Sequence, residues 1–185
     1  DSNLVVALFG PDKEGIKYPQ KEQLLDVITK VKAEELTAYV DKVSNEPLVA
    51  NKPKGGKIVK TQNNSILGTT ELTLSNGIKV YLKKTEFKAD EILMKGFSLG
   101  GSSLFPDTEI ANIMNLNDVA AGGGLGKFST TELEKVLAGK KASASANIGD
   151  KTEAINGSCS PKDFETMMQL TYLRFTEPRK DLDAF

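Results

Sequence analysis

Residues 69–103, TTELTLSNGIKVYLKKTEFKADEILMKGFSLGGSS, decide the architecture. Thr70 to Leu74 and Ile78 to Leu82 alternate apolar with polar positions, the period of a strand with one buried face. Ser75-Asn76-Gly77 joins them with the Asn-Gly pair that is the strongest short-range hairpin signal. Ile92 to Leu99 reads as a third strand, closed by Gly100-Gly101.

Downstream, Asp107 to Ala121 sets Ile110, Ile113, Met114, Leu116 and Val119 at helical spacing, which predicts one inward stripe, with Pro106 and Asp107 suited to the first turn. Ser129 begins a second helix that runs to about Leu137, and Glu132 three residues on completes a capping box. Lys141 to Ile148 and Thr152 to Ser158 form a strand pair around Gly149-Asp150. Ser160 as cap and Pro161 at the first helical position start a last helix, expected to bury Phe164, Met167, Met168, Thr171 and Phe175. Helices grouped around an antiparallel sheet predict an α+β fold.

Upstream the composition changes. Residues 44–66 collect the turn formers Asn45, Pro47, Asn51, Pro53, Gly55, Gly56, Asn63 and Asn64, and four lysines without helical spacing, so they read as a linker. In residues 1–43, Leu4 to Phe9 is a strand-sized apolar run ending at Gly10-Pro11. Gln20 to Val31 carries Leu24, Leu25, Val27, Ile28 and Val31 at three- and four-residue steps, and Leu36, Tyr39 and Val40 suggest a second short helix. One strand and two helices bury too little surface to offset chain entropy, so this piece reads as the C-terminal remnant of a preceding α+β domain.

Charge excludes some functions. In 185 residues, 24 Lys+Arg face 25 Asp+Glu, so no basic excess draws the chain to nucleic acid or an anionic membrane, and no apolar run approaches the roughly 18 to 20 residues of a bilayer span. There is no histidine, which rules out a Ser-His-Asp triad, a Cys-His pair or a zinc site with an imidazole ligand in this chain. Cys159 is the single cysteine and has no base to activate it, so it reads as a small buried side chain. The stretch Gly122-Gly123-Gly124-Leu125-Gly126-Lys127-Phe128-Ser129 invites comparison with a phosphate-binding loop. Ala121 replaces its first glycine, however, Phe128 replaces its metal-ligating hydroxyl, and a helix rather than a strand precedes it. A turn between helices is the better reading.

LSNGIKVYL (74–82), ILMKGFSLGGSS (92–103), AGGGLGKFS (121–129), LAGKKASASANIGD (137–150) and CSPKDFETMMQLTYLRFTEPRKD (159–181), in that order and spacing, resemble the insulinase/pitrilysin-type zinc metallopeptidases, large bacterial members in particular. The resemblance implies two homologous halves, each of two α+β domains, closing around a peptide. It makes residues 1–43 the end of the first half, 44–66 the linker and 67–185 the first part of the second half. An active half of this family carries H-x-x-E-H on its first helix, two histidines for zinc and a glutamate that activates water. Aligned from Gly101-Ser102 and Pro106, those positions fall on Met114, Asn117 and Asp118. A thioether and a carboxamide supply neither zinc ligation nor a base, so these are degenerate motif positions of a non-catalytic half.

The same resemblance implies an inactive fragment that encloses substrate and supports an active half. Zinc is expected in that other half. The partners implied are the remaining domains of the parent and a peptide or protein substrate, and the compartment implied is the bacterial periplasm or cell envelope. The strand equivalent to the family's peptide-binding edge is Ala142, Ser143, Ala144, Ser145 and Ala146. The alternative is a scaffold or interaction module built from two inactive halves. A histidine-free enzyme working through carboxylates ranks third, because no two acidic residues are held together by a recognisable spacing.

Overall fold

The computed structural model describes residues 3–37 and 46–182. The chain divides into two units, Asp1–Asp41 and Lys42–Phe185. In the first, α1 spans Lys21–Ala33. Gln20 opens it, its backbone N–H donating to Gln23 Oε1 at 2.8 Å, while Glu22 in the first turn and Lys30 and Lys32 in the last complement the helix dipole. Leu24 and Ile28 are half-buried; Leu25, Val27 and Val31 face outward. Leu4 to Phe9 is not a strand. It is irregular, with Val5 and Phe9 exposed at 88% and 90%. A strand satisfies its backbone only through a neighbour, and the described residues of this unit contain no second strand. Leu36 lies in coil, and Tyr39 and Val40 of the expected second helix fall outside the described residues.

The second unit holds two antiparallel sheets. β1 (Ile58–Asn64), β2 (Thr69–Leu74) and β3 (Lys79–Leu82) form the first, in the order β1-β2-β3. The Asn-Gly hairpin is as expected: Gly77 has φ +87°, and Asn76 Oδ1 accepts from Ile78 N–H at 3.2 Å. The ribbon gains a third strand because the second half of the stretch read as linker is β1. Asn64 Oδ1 accepts from the N–H groups of both Ile66 and Leu67 at 3.1 Å, so what composition marks as loose is an Asx turn between strands. Leu48, from the same stretch, packs in the core.

β4 (Ile92–Leu99), β5 (Ala142–Ile148) and β6 (Thr152–Cys159) form the other sheet, in the order β4-β6-β5. The central strand is therefore the last in sequence, and β4 and β5 are its edges. α2 (Ile110–Gly122), α3 (Thr130–Val136) and α4 (Phe164–Thr176) complete the unit. α3 carries the expected capping box: Ser129 Oγ accepts from Glu132 N–H at 3.3 Å, and Ser129 N–H donates to Glu132 Oε2 at 2.9 Å. Hydrogen bonds from Ser129, the backbone one most strongly, hold the Glu132 carboxyl below its usual range.

The core is Leu48, Leu125, Phe128, Ala144, Leu170 and Leu173, and it joins the β5 face to α4 and the turn before α3. The buried face of α4 is Thr166, Met167, Leu170 and Leu173, rotated from the expected one. Phe164, Met168 and Phe175 point outward, Phe175 at 70% exposure, and Thr171 is half-buried. Met167 sits on that face because Gly157 of β6 leaves it room: a Cβ there would lie 2.8 Å from Met167 Sδ. Small residues on the facing strand, rather than the largest apolar residues of the helix, select which side is buried.

Candidate functional site

The functional question centres on the edge of β5 and the helix beside it. Ser160 N–H donates to Lys141 O and Gly149 N–H to Thr152 O, each continuing the β5–β6 register by one pair. Antiparallel pairs alternate between bonded and non-bonded. Odd-numbered residues of β5 therefore bond to β6, and Ala142, Ala144, Ala146 and Ile148 turn their N–H and C=O groups to the open edge.

Two side chains already use part of that edge. Asn117 of α2 donates through Nδ2 to Ile148 O at 3.0 Å and accepts at Oδ1 from Ile148 N–H at 2.8 Å. Its carboxamide thus reproduces the peptide group of a neighbouring strand. Arg174 of α4 donates through Nε to Ala144 O at 3.2 Å and through Nη1 to Ala120 O at 3.4 Å. Ala120 lies in the last turn of α2, where carbonyls lack intrahelical partners and a cation is favourable. Burial draws the guanidinium's pKa down, and it remains charged. Among the described residues, what stays open along β5 is both groups of Ala142, both of Ala146 and the N–H of Ala144.

The opposite end of β5 is tied to α4. Asp163, nearly buried, accepts from Ser160 Oγ at 2.6 Å and from Lys141 N–H at 2.9 Å. The Ser160 hydroxyl first, then the Lys141 amide, holds its carboxyl below the ordinary range. Cys159 lies beside this knot, buried, with burial raising its thiol pKa. It is a protonated packing residue, as its sequence context indicates.

The glycine-rich stretch is a turn in which the N–H groups of Leu125, Gly126 and Phe128 are already in use. Leu125 and Phe128 exchange N–H···O bonds of 2.9 Å, and Gly126 N–H donates to Glu177 O at 2.8 Å. Gly124 has φ +84°, and a Cβ there would stand 2.2 Å from Phe128 O, so only glycine closes this turn. Closing it drives Leu125 into the core.

The three positions onto which the sequence alignment sets the zinc motif, Met114, Asn117 and Asp118, are split by α2. Met114 is 76% exposed and Asp118 is exposed one turn on, so the two share the outer side of the helix, while Asn117 faces β5. Met114, expected on the inward stripe, and Ile110 and Leu116 with it, turn outward; Ile113, Asn117, Val119 and Ala120 are the less exposed positions. In the second unit α2 leans chiefly on β5, so one narrow side is the better covered. These side chains do not fit a zinc ion, and among the described residues no group of three His, Cys, Asp or Glu is placed to hold a metal.

No protein-family model matches the chain. A zinc protease PQQL-like protein of Arabidopsis thaliana is 30% identical over 159 residues, covering 84% of this chain and 14% of that protein. The crystal structure of the periplasmic protease PqqL from Escherichia coli superposes with TM-score 0.69 over 90% of the chain at 22% identity. That of the ferredoxin protease FusC, in complex with Arabidopsis ferredoxin, gives 0.67 over 91% at 13% identity. The chain is a segment of an insulinase/pitrilysin-type protein. It spans 14% of the Arabidopsis relative, 18% of PqqL and 19% of FusC. The two sheets with their helices are the α+β fold of this peptidase type.

Within that fold, Asn117 and Arg174 are the residues that the sequence signalled only indirectly. Asn117 falls between Ile113 and Ala120 on the narrow covered side of α2. Arg174 follows Met167, Leu170 and Leu173 at helical spacing on the buried side of α4. A polar residue on a covered helical face must find a hydrogen-bond partner, and each found the backbone of β5.

Proposed function

We propose that this segment belongs to the non-catalytic half of a zinc-dependent peptidase, where it encloses substrate and supports an active half that holds the metal. Residues 1–43 would end the first half, and the second would open at β1 rather than at residue 67, with the join shortened to the residues before it. One observation carries the reading: 185 residues without a single histidine leave the helix that corresponds to the family's motif unable to bind zinc through imidazole. The placement of Met114, Asn117 and Asp118 supports it, since Asn117 is engaged in holding β5. A closing half contributes by excluding water and positioning the chain to be cut. Its substrate would be a peptide or protein: both structural neighbours are named as proteases, and one is in complex with ferredoxin.

Peptide contact by strand addition is confined, on this reading, to Ala142–Ala146, because Ile148 is taken by Asn117 and Ala144 O by Arg174. That partial closure is also the observation favouring the second reading, an inactive scaffold. The test is a quenched-fluorescence peptide assay on the longer polypeptide encoded by the same reading frame, with and without chelator. Chelator-sensitive cleavage that depends on an H-x-x-E-H helix outside these 185 residues supports the peptidase half. A full-length product with no such motif and no cleavage supports the scaffold, and cleavage by the 185-residue chain alone defeats both.

A further inference from the structure

The chain contains two Asn-Gly pairs, Asn76-Gly77 and Asn156-Gly157, and the fold treats them differently. An asparagine followed by glycine loses ammonia without an enzyme. The glycine's backbone nitrogen, once deprotonated, attacks the asparagine Cγ; the carboxamide C–N bond breaks, ammonia leaves, and a five-membered succinimide ring closes. Water then adds to either ring carbonyl and opens the ring, leaving aspartate or isoaspartate. Glycine suits the step because no Cβ hinders the approach. The backbone between the two residues must still rotate until nitrogen meets Cγ, so the local structure sets the rate.

We infer that Asn76-Gly77 is a site of spontaneous hydrolytic deamidation, that Asn156-Gly157 is locked against it, and that the modification unfastens β3. Asn76 and Gly77 are exposed at the tip of the β2–β3 hairpin, and a Cβ on Gly77 would have nothing within 4 Å. The nucleophilic nitrogen is held by one bond, Gly77 N–H to Leu74 O at 2.9 Å, in a turn that opens locally at low cost. Positive charge favours the amide anion. It comes from Lys79, two residues on, and from Lys57, whose O accepts from Ser75 N–H at 2.8 Å and whose N–H donates to Ser75 Oγ at 3.2 Å; no acidic residue falls between Glu71 and Glu86. Asn156-Gly157 lies instead in β6, the central strand. Asn156 pairs with Lys95 and Ser145, and Gly157 with Met94 and Ala144. A Cβ on Gly157 would stand 2.8 Å from Met167 Sδ and 2.9 Å from Met94 Cε, so the chain has no room to rotate there. The consequence falls on β3, an edge strand whose neighbour in the sheet is β2. Isoaspartate adds a methylene to the backbone at the turn and displaces the Asn76 Oδ1 that accepts from Ile78 N–H.

The test incubates the 185-residue chain in heavy-oxygen water at mildly alkaline pH and follows label at each asparagine by peptide mass spectrometry. Label marks conversion during incubation and excludes conversion during digestion. In the folded chain, position 76 should convert at least about tenfold faster than position 156. In concentrated urea, where neither turn nor sheet survives, the two should convert at rates within about twofold of each other. Equal rates in the folded chain overturn the proposal, as does a position 76 that stays unlabelled while the urea-unfolded chain converts. The isoaspartate form, separated by ion exchange, reads the effect on β3. Leu74 N–H donates to Ile78 O, so the alternation of antiparallel pairs bonds Val80 to Leu72. The Val80 amide should exchange at least about tenfold faster in that form than in the unmodified chain, and an unchanged rate overturns the unfastening of β3.

Discussion

Replacing Asn117 by alanine tests whether α2 holds the end of β5. The change removes hydrogen bonds of 2.8 and 3.0 Å to the two backbone groups of Ile148. A typical intramolecular hydrogen bond contributes about 1 kcal/mol net, so the pair is worth about 2 kcal/mol. Alanine's better helix propensity returns roughly 0.5 kcal/mol, leaving a loss of about 1.5 kcal/mol. For a unit of this size that lowers the melting temperature by on the order of 5 °C. Asn117→Asp sharpens the test. Its carboxylate still accepts from Ile148 N–H but meets Ile148 C=O with no proton to donate, so the native state favours the protonated form. With the folded pKa raised, the native state binds more protons than the unfolded chain, and stability falls as pH rises through that pKa. Thermal melts at pH 4 and pH 7, with hydrogen exchange at the Ile148 amide, read both effects. Alanine should speed that amide's exchange at least tenfold, and Asn117→Asp should be closer to wild type at pH 4 than at pH 7. An unchanged melting temperature in Asn117→Ala, or an Ile148 amide already unprotected in the wild type, would refute the clamp.

Leu173, 1% exposed in the core, should lose about 2 to 5 kcal/mol on truncation to alanine, measured by urea unfolding. The Asp163 carboxyl, held below its usual range by Ser160 and Lys141, stabilises the fold above the ordinary carboxylate pKa of about 3.9, and that contribution disappears as pH falls through its lower native value. Asp163→Asn should therefore flatten the loss of stability on acidification below about pH 4, followed by circular dichroism. Brief trypsin treatment should cut after Lys54, which lies in exposed chain without secondary structure, and spare Lys60, which is hydrogen-bonded within β1; mass spectrometry of the first fragments distinguishes them.

What the sequence made legible was local. The Asn-Gly hairpin and the capping box at Ser129 and Glu132 each announce themselves within four residues and stand where their chemistry places them; Pro161 opens a 3-10 turn ahead of α4, and Ser160, expected as its cap, donates its hydroxyl to Asp163 instead. What it hid depends on neighbours distant in sequence. Ile58–Asn64 is polar enough to read as linker, yet it gains a strand's hydrogen bonds from β2. Leu4 to Phe9 is apolar enough for a buried strand and has no partner to make it one. The buried face of α4 escapes the helical pattern because Gly157 and the small residues of β5 admit Met167, Leu170 and Leu173 while the phenylalanines stay outside. Met114 escapes it because a helix with a continuous apolar stripe need not have that stripe covered. Of the site, absence of histidine is plain from composition, whereas the roles of Asn117 and Arg174 require knowing that β5 is an edge.

On the proposed reading these residues carry no peptidase zinc site. The direct measurement is the zinc content of the 185-residue protein after equilibrium dialysis against micromolar zinc, read by elemental mass spectrometry beside a chelated control. Isolated carboxylates without imidazole or paired thiolates make a weak site at best. The expected result is zinc well below one equivalent and indistinguishable from the control. One equivalent retained through dialysis would contradict the assignment to a non-catalytic half.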